Sequence, residues 1–211
     1  MRKYLMFLII VLSIINSCTK RDSEIIKTPN NFVYAGVTDD LSYTDYVPDI
    51  VIKGTRNGNV TNYLYNDSIT IDLNNDNIDD LQFTYYKKFE SFECLPPLDC
   101  MPEAERKLSI KTLSNLEIAC DSIIAPYYSI FLPICFQIND TINNAKIWRG
   151  QNIMFLRRDN FSELNGAGYW YEKIDRYIGF RIKQDNNTIY GWIQLDTKND
   201  CILLDNFAIE K

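Results

Sequence analysis

Between residues 72 and 80 the chain sets oxygen-bearing side chains at Asp72, Asn74, Asp76 and Asp80. A hard divalent cation such as calcium takes about six to eight oxygen ligands, and a tight loop whose alternate residues point inward can supply them. Ile78 falls in the same series, where its backbone carbonyl would add another oxygen. The competing expectation is a polar hairpin turn that binds nothing, because Asn and Asp readily make their own side-chain turns.

Much other chemistry is excluded by composition. The sequence has no histidine, which removes Ser-His-Asp and Cys-His nucleophilic catalysis, histidine general bases and histidine metal sites. It also lacks a glycine-rich phosphate loop and a dinucleotide fingerprint. A carboxylate pair about 5–10 Å apart could still run glycoside hydrolysis. Glu163, Glu172 and Asp175, close in sequence to Trp170, are nominal members of such a pair among 28 acidic residues. The alternative to a glycan-processing hydrolase is a non-catalytic module that binds a glycan or a protein. That reading rests on Trp148, Trp192 and especially Tyr169-Trp170-Tyr171, which follows the flexible Asn165-Gly166-Ala167-Gly168. Aromatic rings with one wet edge suit such surfaces, although core packing is the commoner fate of each ring. The net charge of −6 argues against nucleic acid as a partner.

The amino-terminal segment carries an address. Arg2 and Lys3 precede an apolar run from Tyr4 to Ile15, broken only by Ser13 and too short to span a bilayer comfortably. Residues 1–17 therefore read as a signal peptide. The stretch Leu12-Ser13-Ile14-Ile15-Asn16-Ser17-Cys18 resembles the lipobox of bacterial lipoproteins, with Asn16 as the one departure. The resemblance implies cleavage before Cys18 and fatty acylation there, with palmitate-type chains anchoring the protein in the membrane. Residues 18–30 then read as a lipid-anchored tether. Thr19-Lys20-Arg21-Asp22 partly resembles the lysine-then-acidic signal for surface display in Bacteroidota lipoproteins, so an outer-membrane location is expected with its face open.

Five cysteines remain after Cys18: Cys94, Cys100, Cys120, Cys135 and Cys201. In an oxidising compartment two bridges and one thiol are possible, and Cys94 with Cys100, flanking Leu95-Pro96-Pro97-Leu98-Asp99, is the first expected pair. No Cys-x-x-Cys spacing supports a thiolate metal site.

The 72–80 series has the spacing of the first nine residues of an EF-hand loop, but Asn77 stands at the glycine position and Phe83 replaces the terminal glutamate. With Leu81 following, it resembles the calcium loops of FG-GAP-type repeats. That resemblance implies Asp72, Asn74, Asp76 and Asp80 as ligands, with Ile78 through its carbonyl, while the missing glycine and glutamate point to a weak extracellular site of about 10⁻⁴ to 10⁻³ M. The stretches Tyr177–Ile182, Tyr190–Leu195 and Asp205–Glu210 are similar to the ends of secreted β-domain proteins, including Bacteroidota-type lipoproteins, families that imply a fold and a location and no activity. Asp67-Ser68-Ile69, Asp121-Ser122-Ile123 and Asp140-Thr141-Ile142 resemble the O-glycosylation sequon of that phylum, which makes Ser68, Ser122 and Thr141 candidate glycan sites.

These groups need a scaffold, and its pattern is one of strands. Phe180 and Ile182 alternate with Arg181 and Lys183, and segments 189–195 and 202–209 follow after Asn/Asp-rich turns, a three-strand antiparallel meander. Segments 68–72, 81–86 and 106–113 read similarly. Ile123 to Ile138 is almost wholly apolar, with Pro126 and Pro133 against a helix, and reads as strands at the centre of the core. The expectation is an all-β fold, a single β-sandwich-like domain over residues 31–211 with a C-terminal antiparallel meander.

Overall fold

The computed structural model describes residues 31–58, 62–90, 103–125, 128–158, 170, 172–184, 187–198 and 201–211. These form an all-β structure with no helix among the described residues. The strands are β1 (Phe32–Tyr34), β2 (Leu41–Ile52), β3 (Thr55–Gly58), β4 (Asn62–Ile71), β5 (Leu81–Glu90), β6 (Glu103–Thr112) and β7 (Leu116–Ala125). They continue as β8 (Tyr128–Pro133), β9 (Thr141–Asn143), β10 (Ile147–Arg149), β11 (Asn152–Arg158), β12 (Lys173–Gln184), β13 (Asn187–Lys198) and β14 (Cys201–Glu210).

Two sheets face each other. One has the order β11-β6-β5-β4-β3; the other runs β10-β7-β12-β13-β14-β2, with β8 also paired to β7. The expected meander is β12-β13-β14, antiparallel throughout, with Ile182 opposite Ile189 and Trp192 opposite Ala208. In the five-stranded sheet the central strand β5 alternates in burial. Leu81, Phe83 and Tyr85 of β5 point into the core while Gln82 and Thr84 do not, and Leu108 and Ile110 of β6 match them. The facing sheet contributes Ile178, Phe180 and Ile182, then Ile193 and Leu195, then Ile202, Leu204, Phe207 and Ile209. Each large apolar side chain withdrawn there contributes about 1.5–3 kcal/mol.

The seven-stranded sheet is buried on its other face too. β1 and β9 form a two-stranded flap, and Val33, Ala35 and Ile142 from it and its flanks pack with Phe136, Tyr177, Trp148, Tyr190, Trp192 and Ala208. This third layer explains the unbroken burial of Tyr177–Phe180 and Asn206–Ile209, where a one-sided strand would alternate. Two glycines permit the closeness. A Cβ on Gly179 would sit 2.9 Å from Ile142, and one on Gly191 would sit 2.2 Å from Phe180 and 2.5 Å from the Ala208 carbonyl.

The apolar 123–138 run is divided between the ends of β7 and β8 and the segment that follows. Leu132 and Phe136 are buried as expected, but Ile138 is 60% exposed, because the chain has by then left the sheet for the turn before β9.

Candidate functional site: the β4–β5 loop

Residues 72–80 join β4 to β5 at the end of the five-stranded sheet, and the local sequence accounts for the loop's shape. The Asp80 N–H donates to the Ile71 carbonyl at 2.8 Å and closes the base. Leu73, wholly buried, plugs the loop into the main core. Asn75 and Asn77 take positive φ, 59° and 67°. Asparagine tolerates the left-handed region better than most residues. Asn77 therefore adopts the backbone that a glycine would be expected to supply there.

The side chains are ordered by their own backbone. The Asn77 N–H donates to Asp72 Oδ2 at 2.7 Å, the Asp76 N–H to Asn74 Oδ1 at 3.0 Å, and the Ile78 N–H to Asp76 Oδ1 at 2.8 Å. Asn74 Nδ2 also reaches Asp76 Oδ2 at 3.0 Å. Residues one, three and five of the series are thereby drawn together over the loop. One atom is left over: Asp72 Oδ1 is buried and has no hydrogen-bond partner. A buried acceptor without a partner costs about 1–3 kcal/mol, more when charged.

Asp80 stands apart from these. It is 2% exposed, and its Oδ2 accepts the Leu73 N–H at 2.9 Å while Oδ1 accepts the Ser114 hydroxyl at 2.7 Å. The Leu113 N–H also donates to the Asp80 carbonyl at 2.7 Å. Its carboxylate ties the loop to the β6–β7 turn. That turn, with Gln151 and Lys183, borders a shallow cleft of about 320 Å³. Across the cleft Glu117 accepts Arg181 Nε at 2.7 Å and Lys183 Nζ at 3.1 Å. Burial pushes the Glu117 carboxyl up, but these two cations outweigh it and hold it below the ordinary value. Among the described residues no three Cys, Asp or Glu side chains converge as a closed metal cluster. The loop's oxygens come instead from two aspartates, an asparagine amide and the backbone.

The aromatic patch is corrected at Trp170. Its ring is 0% exposed, its Nε1 donates to the Pro133 carbonyl at 3.0 Å, and its own carbonyl accepts the Thr197 hydroxyl. Trp148 and Trp192 are also buried, at 7% and 1%. The indoles fill space between the layers of the sandwich, so none is offered for stacking on a sugar. Tyr169 and Tyr171 lie outside the described residues, as do Cys18, Cys94, Cys100 and Glu163.

Glu172 and Asp175 are exposed, with positive φ of 48° and 51°. Ser68 and Ser122 are exposed on β4 and β7, while Thr141 is half-buried on β9. Cys120 and Cys135 are thiols.

Compared with protein families, curated proteins and solved structures, the chain matches none.

Proposed function

We propose that this chain is the extracytoplasmic β-sandwich of an acyl-anchored cell-envelope lipoprotein, a non-catalytic structural or partner-binding module whose β4–β5 hairpin is stapled by calcium. The anchor is Cys18, and the expected membrane is the outer one. The observation that carries the calcium part is the unpartnered, buried Asp72 Oδ1 inside a loop already shaped by its neighbours. A carboxylate oxygen withdrawn from water without a donor is satisfied by a cation that the surrounding oxygens also reach.

Asp72, Asn74 and Asp76 are the side-chain ligands, and Ile78 adds its carbonyl. Each of the hydrogen-bonded oxygens keeps a lone pair for the ion. Asp80 contributes chiefly by holding the loop's base, with any metal contact made through the lone pairs its two hydrogen bonds leave. Water completes the shell, which fits affinity of about 10⁻⁴ to 10⁻³ M and an environment rich in calcium.

The burial of all three tryptophans favours recognition of a protein or a structural role over stacking on a glycan. The address is tested by metabolic labelling with a clickable palmitate analogue: label should enter the wild-type chain and disappear in Cys18→Ala. Persistence of label in that variant would remove the anchor from the account.

A further inference from the structure

A second group of oxygens lies on the outer face of the seven-stranded sheet, beside the flap. Tyr177 on β12, Gln194 on β13, Asn206 on β14 and Asp45 on β2 are register partners in one row across four strands. Asp175, two residues before Tyr177, joins the row through its side chain. Gln194 Nε2 donates to Asp175 Oδ1 at 3.4 Å, and Asn206 Nδ2 donates to Gln194 Oε1 at 3.0 Å.

This relay fixes which way the amides point. An ionised carboxylate only accepts, so Gln194 must turn its NH₂ to Asp175 and its oxygen to Asn206. Asn206 must then turn its own NH₂ to Gln194, which leaves its oxygen outside the relay. That oxygen, Oδ1, is buried without a hydrogen-bond partner, on a residue only 8% exposed.

Carboxylates surround the spot. Between Leu204 and Asn206 the register with β2 breaks: Leu204 is opposite Ile50, Asn206 is opposite Asp45, and residues 46–49 bulge out. Asp205 faces this bulge and is itself the extra residue against β13, with the Asp49 carboxylate beside it. Burial pushes the Asp205 carboxyl up, and Asp49, Asp196 and Asp45 push it further, all with negative charge. Asp196 also accepts the Asp175 N–H at 2.8 Å. Arg176, on the same stretch of β12, is turned onto the carbonyls of Ile174 and Asp175. Tyr43, 47% exposed and tilted against Trp192, lies on the same surface.

A row of acceptors with an unmet amide oxygen asks for a donor-rich positive group. The spread decides its kind. From β12 to β2 the acidic groups extend over about 14 Å, three strand spacings, and they do not converge on a point as metal ligands must. We propose that this face is a binding site for alkylammonium groups, taken from a linear polyamine or from the lysine side chains of a partner. One ammonium sits between Asp45 and the Asp49–Asp205 pair, donates to Asn206 Oδ1, and rests against the exposed Tyr43 ring. A second, a few methylenes along, reaches Asp175. The site is independent of the β4–β5 loop.

The test is calorimetric titration of the full chain in detergent, free of calcium and at about 0.15 M salt to screen diffuse attraction. Spermidine and a capped tri-lysine peptide are the two probes, and the tighter of them identifies the source of the ammonium groups. Asp45→Asn, at an exposed strand position, should weaken binding about tenfold. Asp121→Asn, which removes the same charge from an exposed position on β7, should leave it unchanged. No saturable binding of either probe, or equal loss in the two variants, overturns the proposal. So does calcium displacing the bound probe in an Asp72→Asn background, which would make this a point-ion site.

Discussion

Replacing Asp80 by alanine should destabilise the domain by about 2–4 kcal/mol. The residue is 2% exposed and ties three elements: its base closes onto Ile71, its Oδ2 holds the Leu73 N–H, and its Oδ1 holds Ser114. Hydrogen bonds to a charged group contribute about 1.5–3 kcal/mol each. The two should not be summed, since exposed Ser114 can turn to water once its partner is gone. The Leu73 N–H has no such recourse, because Leu73 is wholly buried in the main core. A stranded donor of that kind costs about 1–3 kcal/mol. Urea unfolding of both proteins in chelator, followed by far-ultraviolet circular dichroism, measures the difference. For a domain of this size the melting temperature should fall by about 2–4 °C for each kcal/mol. A variant within about 0.5 kcal/mol of wild type, the range of ordinary surface changes, would refute the role given to Asp80.

Gly191→Ala should cost about 3 kcal/mol or more in the same assay, because its Cβ would strike Phe180 and the Ala208 carbonyl, a backbone atom that cannot swing away. Cys120, buried and pushed up to about 12 chiefly by burial, should resist thiol reagents in the native protein at pH 8 and react only on unfolding. Its raised thiol makes a contribution to stability that is intact below the ordinary thiol value and lost as pH rises towards 12, so Cys120→Ala should flatten the alkaline limb of a stability–pH curve. Asp205, raised by burial and by Asp49, contributes stability that is present below the ordinary carboxyl value and lost as pH rises through its own. Asp205→Asn should therefore remove part of the fall in stability across that acidic window, read by melting temperature against pH.

The meander was legible because one signal dominates it. Alternation at Phe180–Lys183 and the Asn/Asp turns state both the strands and their order, and the register follows from tight connections. The loop was legible too, since alternate oxygens between two strand patterns leave few arrangements. The flap was not. β1 and β9 are three residues each, too short to show a period, and their apolar residues mean little until the sheet beneath them is known. Core packing was the commoner expectation for each tryptophan and all three are buried, but which layer takes each ring was not legible. Trp192 and Trp148 face the flap side, and Trp170 donates to Pro133, a partner 37 residues away. The row from Asp175 to Asp45 joins four strands, and only strand pairing brings its members together. An excess of Asp over residues 45–49 and 196–205 was the sole local hint.

The most direct test of the calcium staple compares wild type with Asp72→Asn, with calcium added to about 10 mM and melting temperature and binding heat both recorded. Asparagine keeps an acceptor for the Asn77 N–H but replaces the second oxygen with an amide, so the calcium response of each protein is read against its own calcium-free melting temperature. At affinities of about 10⁻⁴ to 10⁻³ M, calcium should stabilise wild type by about 1.4–2.7 kcal/mol. It should leave Asp72→Asn unmoved and without a saturable heat. Equal response of the two proteins, or no response of wild type, would contradict the account and leave residues 72–80 as a hairpin turn held by its own side chains.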